Sequence, residues 1–307
     1  MHYTFIVNPK SRSGRGEMVW RIVEPELKKQ RIDYEVYYTK YEAHATEIAE
    51  GITADGKEHL LVVVGGDGTI NEVVDGIRDY AKVILGYIPT GSGNDFTRVL
   101  RLPTEPYAAL HQILHGKTKV QMDVGCLHFA GKKRRFAIST GIGFDADVCH
   151  VAAVSKLKRR LNKVGLGKLT YLFIALYRLL AERPAGVEIT LEGKETHHFI
   201  DTYFVAVMNH PYEGGGFFFC PEAKINDGKL DVIVASGLPK WKILLLLPTA
   251  FKGKHIKYKG ISIYQCKEIS IKADRVRPVH TDGEPVAVEQ EIWVNVEAEQ
   301  LSVLCDG

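Results

Sequence analysis

The chain has 307 residues, 45% of them hydrophobic and 25% charged, which excludes both a staple-dependent mini-fold and a mostly disordered polypeptide. That length corresponds to about two domains at roughly 100–200 residues each. Forty Lys and Arg against thirty-seven Asp and Glu leave a net charge of +3, too small for whole-surface nucleic-acid binding, so any polyanion site must be local.

The first third reads as alternating strands and helices. A strand at 3–7 leads through a Ser-, Arg- and Gly-rich loop into a helix at about 17–30; a second strand at 34–38 precedes a helix at about 43–52. The continuous apolar run at 60–64 suits a strand covered on both faces, hence a parallel sheet. A helix at 69–79, a strand at 83–88, a glycine turn at 90–95 and a helix at 106–115 complete a doubly wound α/β domain over residues 1–125. From about residue 120 short alternating runs with turn signals take over, at 122–129, 135–141, 186–191, 196–207, 230–235, 268–273, 293–296 and 301–304. Residues 126–296 are therefore expected to be a β-rich domain, interrupted by helical material at about 146–180 and 241–253, with the segment at about 297–307 free to rejoin the first domain. Cys126, Cys149, Cys220, Cys266 and Cys305 stand singly, which suggests neither a zinc knuckle nor a disulfide framework and suits a reduced cytoplasm. The N-terminus lacks the pattern of a signal peptide, and the apolar run at 243–247 is far below the roughly 20 residues needed to cross a bilayer.

Three loops follow three strands and carry the chemistry. Gly65-Gly66-Asp67-Gly68-Thr69-Ile70-Asn71-Glu72 sits between the apolar strand and a helix. Its glycines let backbone approach a phosphate, and the helix start offers free N–H groups to an anion. Asp67 is out of place beside a phosphate unless a metal ion or a substrate hydroxyl accompanies it. Thr90-Gly91-Ser92-Gly93-Asn94-Asp95 follows the next strand, and Asn8-Pro9-Lys10-Ser11-Arg12-Ser13-Gly14 follows the first, with donors and two cations suited to a polyphosphate. Ligands of open α/β sheets bind outside the carboxyl ends of the strands, so these loops, with Thr39 at the end of the second strand, are expected at one edge. The first loop is not a GxxxxGK[ST] phosphate loop, and none matches GxGxxG, which disfavours an ordinary dinucleotide site. In the second half, Asp282-Gly283-Glu284 places two carboxylates at i and i+2 of a turn, where one can serve as general base and the other as an orienting or metal-linked group.

In this order the motifs NPxSGxG-like, GGDGTxNEV, PTGSGND and a late DGE span nearly the whole chain, which resembles the diacylglycerol kinase catalytic-domain family, including soluble bacterial lipid kinases and the sphingosine and ceramide kinases. GGDGT is shared with NAD kinases and phosphofructokinases, and the later motifs separate them. The first motif carries an inserted residue relative to the shortest family form. The resemblance implies a nucleotide-binding α/β domain of the NAD kinase and phosphofructokinase type, followed by a β-rich, sandwich-like domain. It implies phosphoryl transfer from ATP to a lipid alcohol, most simply diacylglycerol, with Glu284 or Asp282 taking the proton and Asp67 helping to hold Mg²⁺. It further implies a second, structural Mg²⁺ held by the Asp227 carboxylate and the carbonyls of Lys224 and Lys229, although an Asn-Asp-Gly hairpin turn would read alike. The implied setting is cytoplasmic, in peripheral contact with the anionic inner face of the membrane, without nucleic acid and with a homodimer left open. Two features bear on membrane access: the cations Lys156, Lys158, Arg159, Arg160, Lys163 and Lys168, and the run Gly214 to Phe219 with its three phenylalanines. Three other readings remain open: a kinase for ceramide or a sphingoid base, an NAD kinase, and a non-catalytic lipid- or nucleotide-binding regulator.

Overall fold

A computed structural model describes residues 2–154, 174 and 176–305. They form two compact units, one of Met1–Val124 with Ala298–Gly307 and one of Gly125–Glu297. The basic cluster at 156–168 lies outside the described residues.

The first unit is a six-stranded sheet in the order β2-β1-β3-β4-β15-β5. Its strands are β1 (Tyr3–Val7), β2 (Tyr34–Tyr38), β3 (His59–Gly65), β4 (Val83–Pro89), β5 (Thr118–Met122) and β15 (Leu301–Cys305). The neighbours from β2 to β15 are parallel, and β5 alone runs antiparallel, against β15. Helices α1 (Ser11–Lys29) and α5 (Pro106–His115) cover one face: Val19, Trp20, Val23 and Leu27 pack with Leu110 and Ile113 on Phe5, Val7, Val62 and Val64. The alternate residues Ile6, Leu61, Val63 and Leu85 are equally buried, so both faces are closed, as a wholly apolar parallel strand requires. Helices α2 (His44–Thr53), α3 (Asp67–Gly76) and the short α4 (Asp95–Leu100) complete the unit. The regular turns of α1 begin after Arg12, Ser13 and Gly14, all at positive φ, so the first motif is a loop although hydrogen bonding joins it to the helix.

The second unit is a nine-stranded antiparallel sheet. It comprises β6 (Gly125–Phe129), β7 (Lys132–Phe136), β8 (Ser139–Gly143), β9 (Ala185–Leu191), β10 (Glu195–Met208), β11 (Leu230–Ser236), β12 (Ile261–Cys266), β13 (Glu268–Thr281) and β14 (Glu284–Val296), with helices α6 (Phe144–Val154) and α7 (Lys240–Ala250). β10 and β13 each pair with β9 along one half and with β8 along the other, and each shifts register between the halves. Bulged strands that change partner partway fold one sheet over on itself around an apolar interior. Here that interior holds Phe136, Ile189, Val205, Val232, Ile271, Val279 and Val294.

Three expectations are corrected. The run at 122–129 divides into β5 and β6, which belong to different sheets. The run at 135–141 divides into β7 and β8 around a turn. The runs at 268–273 and 293–296 are the ends of the long hairpin strands β13 and β14. The inner parts of that hairpin escape alternation because register shifts interrupt the period of two.

β15 is the last strand in the chain yet a central strand of the first sheet. Ending the chain at Glu297 removes it and exposes the partners of Leu301, Val303 and Leu304, three buried side chains worth about 2 kcal/mol each. A loss of about 6 kcal/mol is comparable to the whole stability of a domain. The shortened chain is therefore expected to lose the cooperative unfolding of the first unit, measured by Trp20 fluorescence in urea; an unchanged transition would disprove it.

Candidate active site

In the first unit the three loops lie at the carboxyl ends of β1, β3 and β4 and are bonded to one another. Asn8 donates from Nδ2 to Thr69 Oγ1 at 3.0 Å, and the hydroxyls of Ser11 and Thr90 share a hydrogen bond at 2.6 Å. The Thr90 amide donates to the Gly65 carbonyl at 2.7 Å, and the Asn94 amide donates to Asp67 Oδ2 at 2.9 Å. Arg12 Nη1 reaches the Gly91 carbonyl at 3.4 Å. Gly66 and Gly91 meet backbone to backbone: a Cβ built on Gly91 would lie 3.1 Å from the Gly66 Cα, so larger residues would part the loops. Pro9 and Gly68 belong to the same turns, and Ser92 and Gly93 form the bend before Asn94. Thr39 is buried at the end of β2, its amide bonded to the Val7 carbonyl, and Lys10 Nζ donates to the Lys40 carbonyl.

α3 begins at Asp67, so the N-terminal end of its dipole and its first amides open at this junction. Burial pushes the Tyr87 phenol up, with the Asp67 charge adding to it, while the Tyr87 hydroxyl donates to the Gly65 carbonyl. Asp95 is buried, 3.7 Å from Arg98. Asn71 and Glu72 of the predicted set lie within α3, past the glycine turn. Asn71 is fully buried in α3, and both Glu72 carboxylate oxygens accept amides at the start of α2, from Ala43 at 3.0 Å and Ala45 at 3.1 Å. Glu72 is thus a helix anchor; its position one turn beyond the glycine loop turns it away from that loop.

In the second unit the DGE turn closes the β13–β14 hairpin, with Asp282 at φ 49°. The Asp282 carboxylate accepts three amide hydrogens, from Ala137 at 2.9 Å and from Ile138 and Ser139 at 2.8 Å. It ties the hairpin turn to the turn between β7 and β8, and its oxygens are occupied in doing so. Glu284 is exposed at the first position of β14. Of the two candidate bases, Glu284 is the exposed residue.

Behind this turn is a buried cluster with no signature in the sequence. His280 is fully buried, its Nε2 lying 3.2 Å from Asp145 Oδ2 and 3.4 Å from Glu213 Oε1, while the Gly283 amide donates to Nδ1 at 3.2 Å. Asp145 lies in the first turn of α6, and Glu213 is fixed by a backbone bridge to Phe217. A side chain on Gly141 would meet Asp145 Oδ2 at 2.2 Å, so a glycine there is what admits the cluster. Burial opposes a charge on His280, but the carboxylates of Glu213 and Asp145 outweigh it and draw its pKa up to about 9. The Gly283 amide pulls the other way, since a doubly protonated ring would face two hydrogens across that contact. Burial pushes Glu213 up to about 7.

The Lys224–Lys229 segment is a turn in which Asp227 Oδ1 accepts the Lys229 amide at 3.2 Å. Nearby Asp231, which the sequence did not single out, is buried, and burial raises it to about 6 with the Asp227 charge adding to the shift. Its Oδ2 has no hydrogen-bond partner among the described residues. An orphaned carboxylate oxygen beside a second carboxylate suits a hard cation. No group of three or more His, Cys, Asp or Glu side chains that could hold a metal occurs among the described residues, so a cation here would depend on backbone carbonyls. Phe217, Phe218 and Phe219 are half-buried, with Phe218 stacked on Tyr212 and Phe217 on Phe251.

Joined glycine loops at a parallel sheet edge, with a helix start and a fixed carboxylate, mark an α/β unit of the kind that suits an anion, with a β-rich unit following it in the chain. Comparison with known proteins agrees. Residues 2–127 match the diacylglycerol kinase catalytic domain, and residues 138–305 match the YegS C-terminal NAD kinase beta sandwich-like domain. The chain is 31% identical over 289 residues to YtlR of Bacillus subtilis, provisionally named a lipid kinase, covering 92% of this chain and 93% of that one. It is 29% identical over 286 residues to a diacylglycerol kinase of Mycobacterium tuberculosis, covering 92% and 88%. A diacylglycerol kinase structure from Bacillus anthracis superposes with a TM-score of 0.70 at 22% identity, covering 99% of this chain and 97% of that one. An NAD kinase of Archaeoglobus fulgidus in complex with ATP gives 0.54 at 13% identity, covering 100% and 94%, a likeness of fold. The chain belongs to the diacylglycerol kinase catalytic-domain family. It is a lipid kinase, a phosphotransferase with an alcohol as acceptor.

The raised pKa of Glu213 has a sign that can be measured. Its buried position tolerates the neutral acid, so its contribution is fully present below about 4.5 and stability declines as pH rises through about 7. The groups facing it are His280, Asp145, Asp282 and Ser139. Between pH 4.5 and 7.5 the melting temperature of Glu213→Gln is expected to fall less than that of the wild type, by roughly 5 °C. Parallel curves would rule the assignment out.

Proposed function

We propose that the chain transfers the γ-phosphoryl group of ATP, with Mg²⁺, to the free hydroxyl of diacylglycerol, yielding phosphatidic acid and ADP. The observation that carries this reading is the junction of the three loops through Asn8–Thr69, Ser11–Thr90 and Asp67–Asn94. Loops bonded in this way offer a fixed set of amides and hydroxyls to a polyphosphate, and positioning with charge neutralisation is most of what phosphoryl transfer requires. The fold neighbour from Archaeoglobus is in complex with ATP, which supports ATP as the phosphoryl donor.

In the proposed reaction the acceptor oxygen bonds to the γ-phosphorus, the bond from that phosphorus to the β,γ-bridging oxygen breaks, and Glu284 receives the hydroxyl proton. Lys10 and Arg12 bring positive charge to the phosphates, and the α3 amides supply donors. Asp67, held by the Asn94 amide, would hold Mg²⁺, which when bound would neutralise phosphate charge. The Asp227 carboxylate with the carbonyls of Lys224 and Lys229, backed by Asp231, is the proposed seat of a structural cation. Asp282 is assigned a positioning role, since three amides occupy its carboxylate. The acceptor is a membrane lipid, so the enzyme is proposed to work on the cytoplasmic face of the membrane, in peripheral contact with it.

Transfer of labelled γ-phosphate to micellar diacylglycerol, ceramide and sphingosine, and to NAD in solution, tests the reading. Label in phosphatidic acid is expected; label in a different acceptor would move the substrate, and label in none would overturn the proposal. Glu284→Gln is expected to lower turnover at least about 100-fold with an unfolding midpoint within about 0.5 kcal/mol of wild type. Asp282→Asn is expected to lose about 2 kcal/mol of stability as well as activity, because it sets an amide nitrogen against backbone N–H groups. A stable, active Asp282→Asn protein would contradict the role given to Asp282.

A further inference from the structure

Helix α7, KWKILLLLPTA, is apolar nearly all the way round. One side is used by the fold: Leu246 is buried with Phe144, Val148, Tyr203 and Leu238, and Ile243 packs against the same cluster. The opposite side carries Trp241, Leu244, Leu245 and Pro248 at i, i+3, i+4 and i+7, a single helical stripe, and all four are exposed, Trp241 at 63% and Leu245 at 66%. On a helix that merely covers a core, this side is ordinarily polar. The stripe continues past the helix end into Phe251, itself 53% exposed and stacked on Phe217 with ring centroids 4.2 Å apart. At the other end Lys240 Nζ donates to the carbonyl of exposed Leu180 at 2.6 Å.

The charge along this stretch of the sequence has one sign. From residue 232 to residue 267 the sequence has seven lysines, at 240, 242, 252, 254, 257, 259 and 267, and no Asp or Glu. Lys252, Lys254, Lys257 and Lys259 follow the helix and are exposed. A second copy of the chain would set these lysines against their equivalents across a two-fold axis, which like-charge repulsion opposes. A bilayer with anionic headgroups offers hydrocarbon for the stripe and negative charge for the rim at the same surface. Trp and Leu on one helical face beside Lys are the composition of a helix that lies in that interface.

We propose that the exposed face of α7, with Phe251 and the lysines that follow, is a docking surface for an anionic lipid bilayer, the apolar side chains entering the headgroup boundary and the lysines meeting phosphates. It rests on the proposed lipid acceptor for its context and deepens that reading by naming the surface that meets the membrane.

The test uses the full chain and sedimentation with vesicles of phosphatidylcholine alone or mixed with phosphatidylglycerol. Wild type is expected to bind the mixed vesicles, with the Trp241 contribution to emission, defined against Trp241→Phe, moving to shorter wavelength. The double variant Trp241→Gln, Leu245→Gln is expected to bind about 30-fold more weakly, at about 1 kcal/mol for each large apolar side chain partly removed from water. Replacing Lys252, Lys254, Lys257 and Lys259 by Gln is expected to cost about fivefold per lysine and to remove the dependence on phosphatidylglycerol, at about 1 kcal/mol per cation. Both variants should keep wild-type turnover on a short-chain acceptor dispersed in water. Vesicle binding untouched by either variant would overturn the proposal, as would a dimer that the apolar variant dissolves. Vesicle binding needs no turnover, so if no lipid is phosphorylated while binding still depends on Trp241, the substrate reading fails and the docking surface stands.

Discussion

An anion can be held by loop amides only if the loops themselves are held. The hydrogen bond from the Asn94 amide to Asp67, together with the backbone contact of Gly66 with Gly91, joins the turns after β3 and β4 into one rigid body. The pairs Asn8–Thr69 and Ser11–Thr90 add the turn after β1. Two features of the first unit depend on this junction: where the Asp67 charge sits, and why the positions that meet are glycines. The parallel sheet beneath is the means by which three turns distant in sequence finish at one edge.

The second unit solves a different problem with the same economy. A hairpin turn carrying an exposed acid is floppy unless something anchors it. Here Asp282 grips three amides of the β7–β8 turn, and His280 grips the amide of Gly283 from below. His280 is itself set between Asp145 and Glu213, three ionisable groups sharing few protons in a dry place. Such a cluster is costly to bury and strongly directional, so it fixes the turn in one geometry. Glu284 is thus presented by a rigid support.

Helix α7 shows how one element can serve two solvents. Its Leu246 side satisfies the core of the unit, and its Trp241 side leaves an apolar stripe beside a run of lysines without a single carboxylate. Read only for length, the 243–247 run is too short to span a bilayer. Read for faces, it is suited to lie on one.

The family, the α/β start, the β-rich continuation and the glycine loops after the strands were legible in the sequence, because strand-flanked glycines and ordered motifs are local signals. The sequence also raised Glu284 and Asp282 as a pair. Tertiary structure decided what distance in sequence conceals. It separated that pair by giving Asp282 three backbone amides, turned Glu72 to the start of α2, and brought Asp145, Glu213 and His280 together from separate elements. It divided the runs at 122–129 and 135–141 between strands, and it set β15 between β4 and β5. The physical reason is the same in each case: a side chain's role is fixed by which donors and acceptors it meets, and those are chosen by strand pairing across many residues, which no local pattern records.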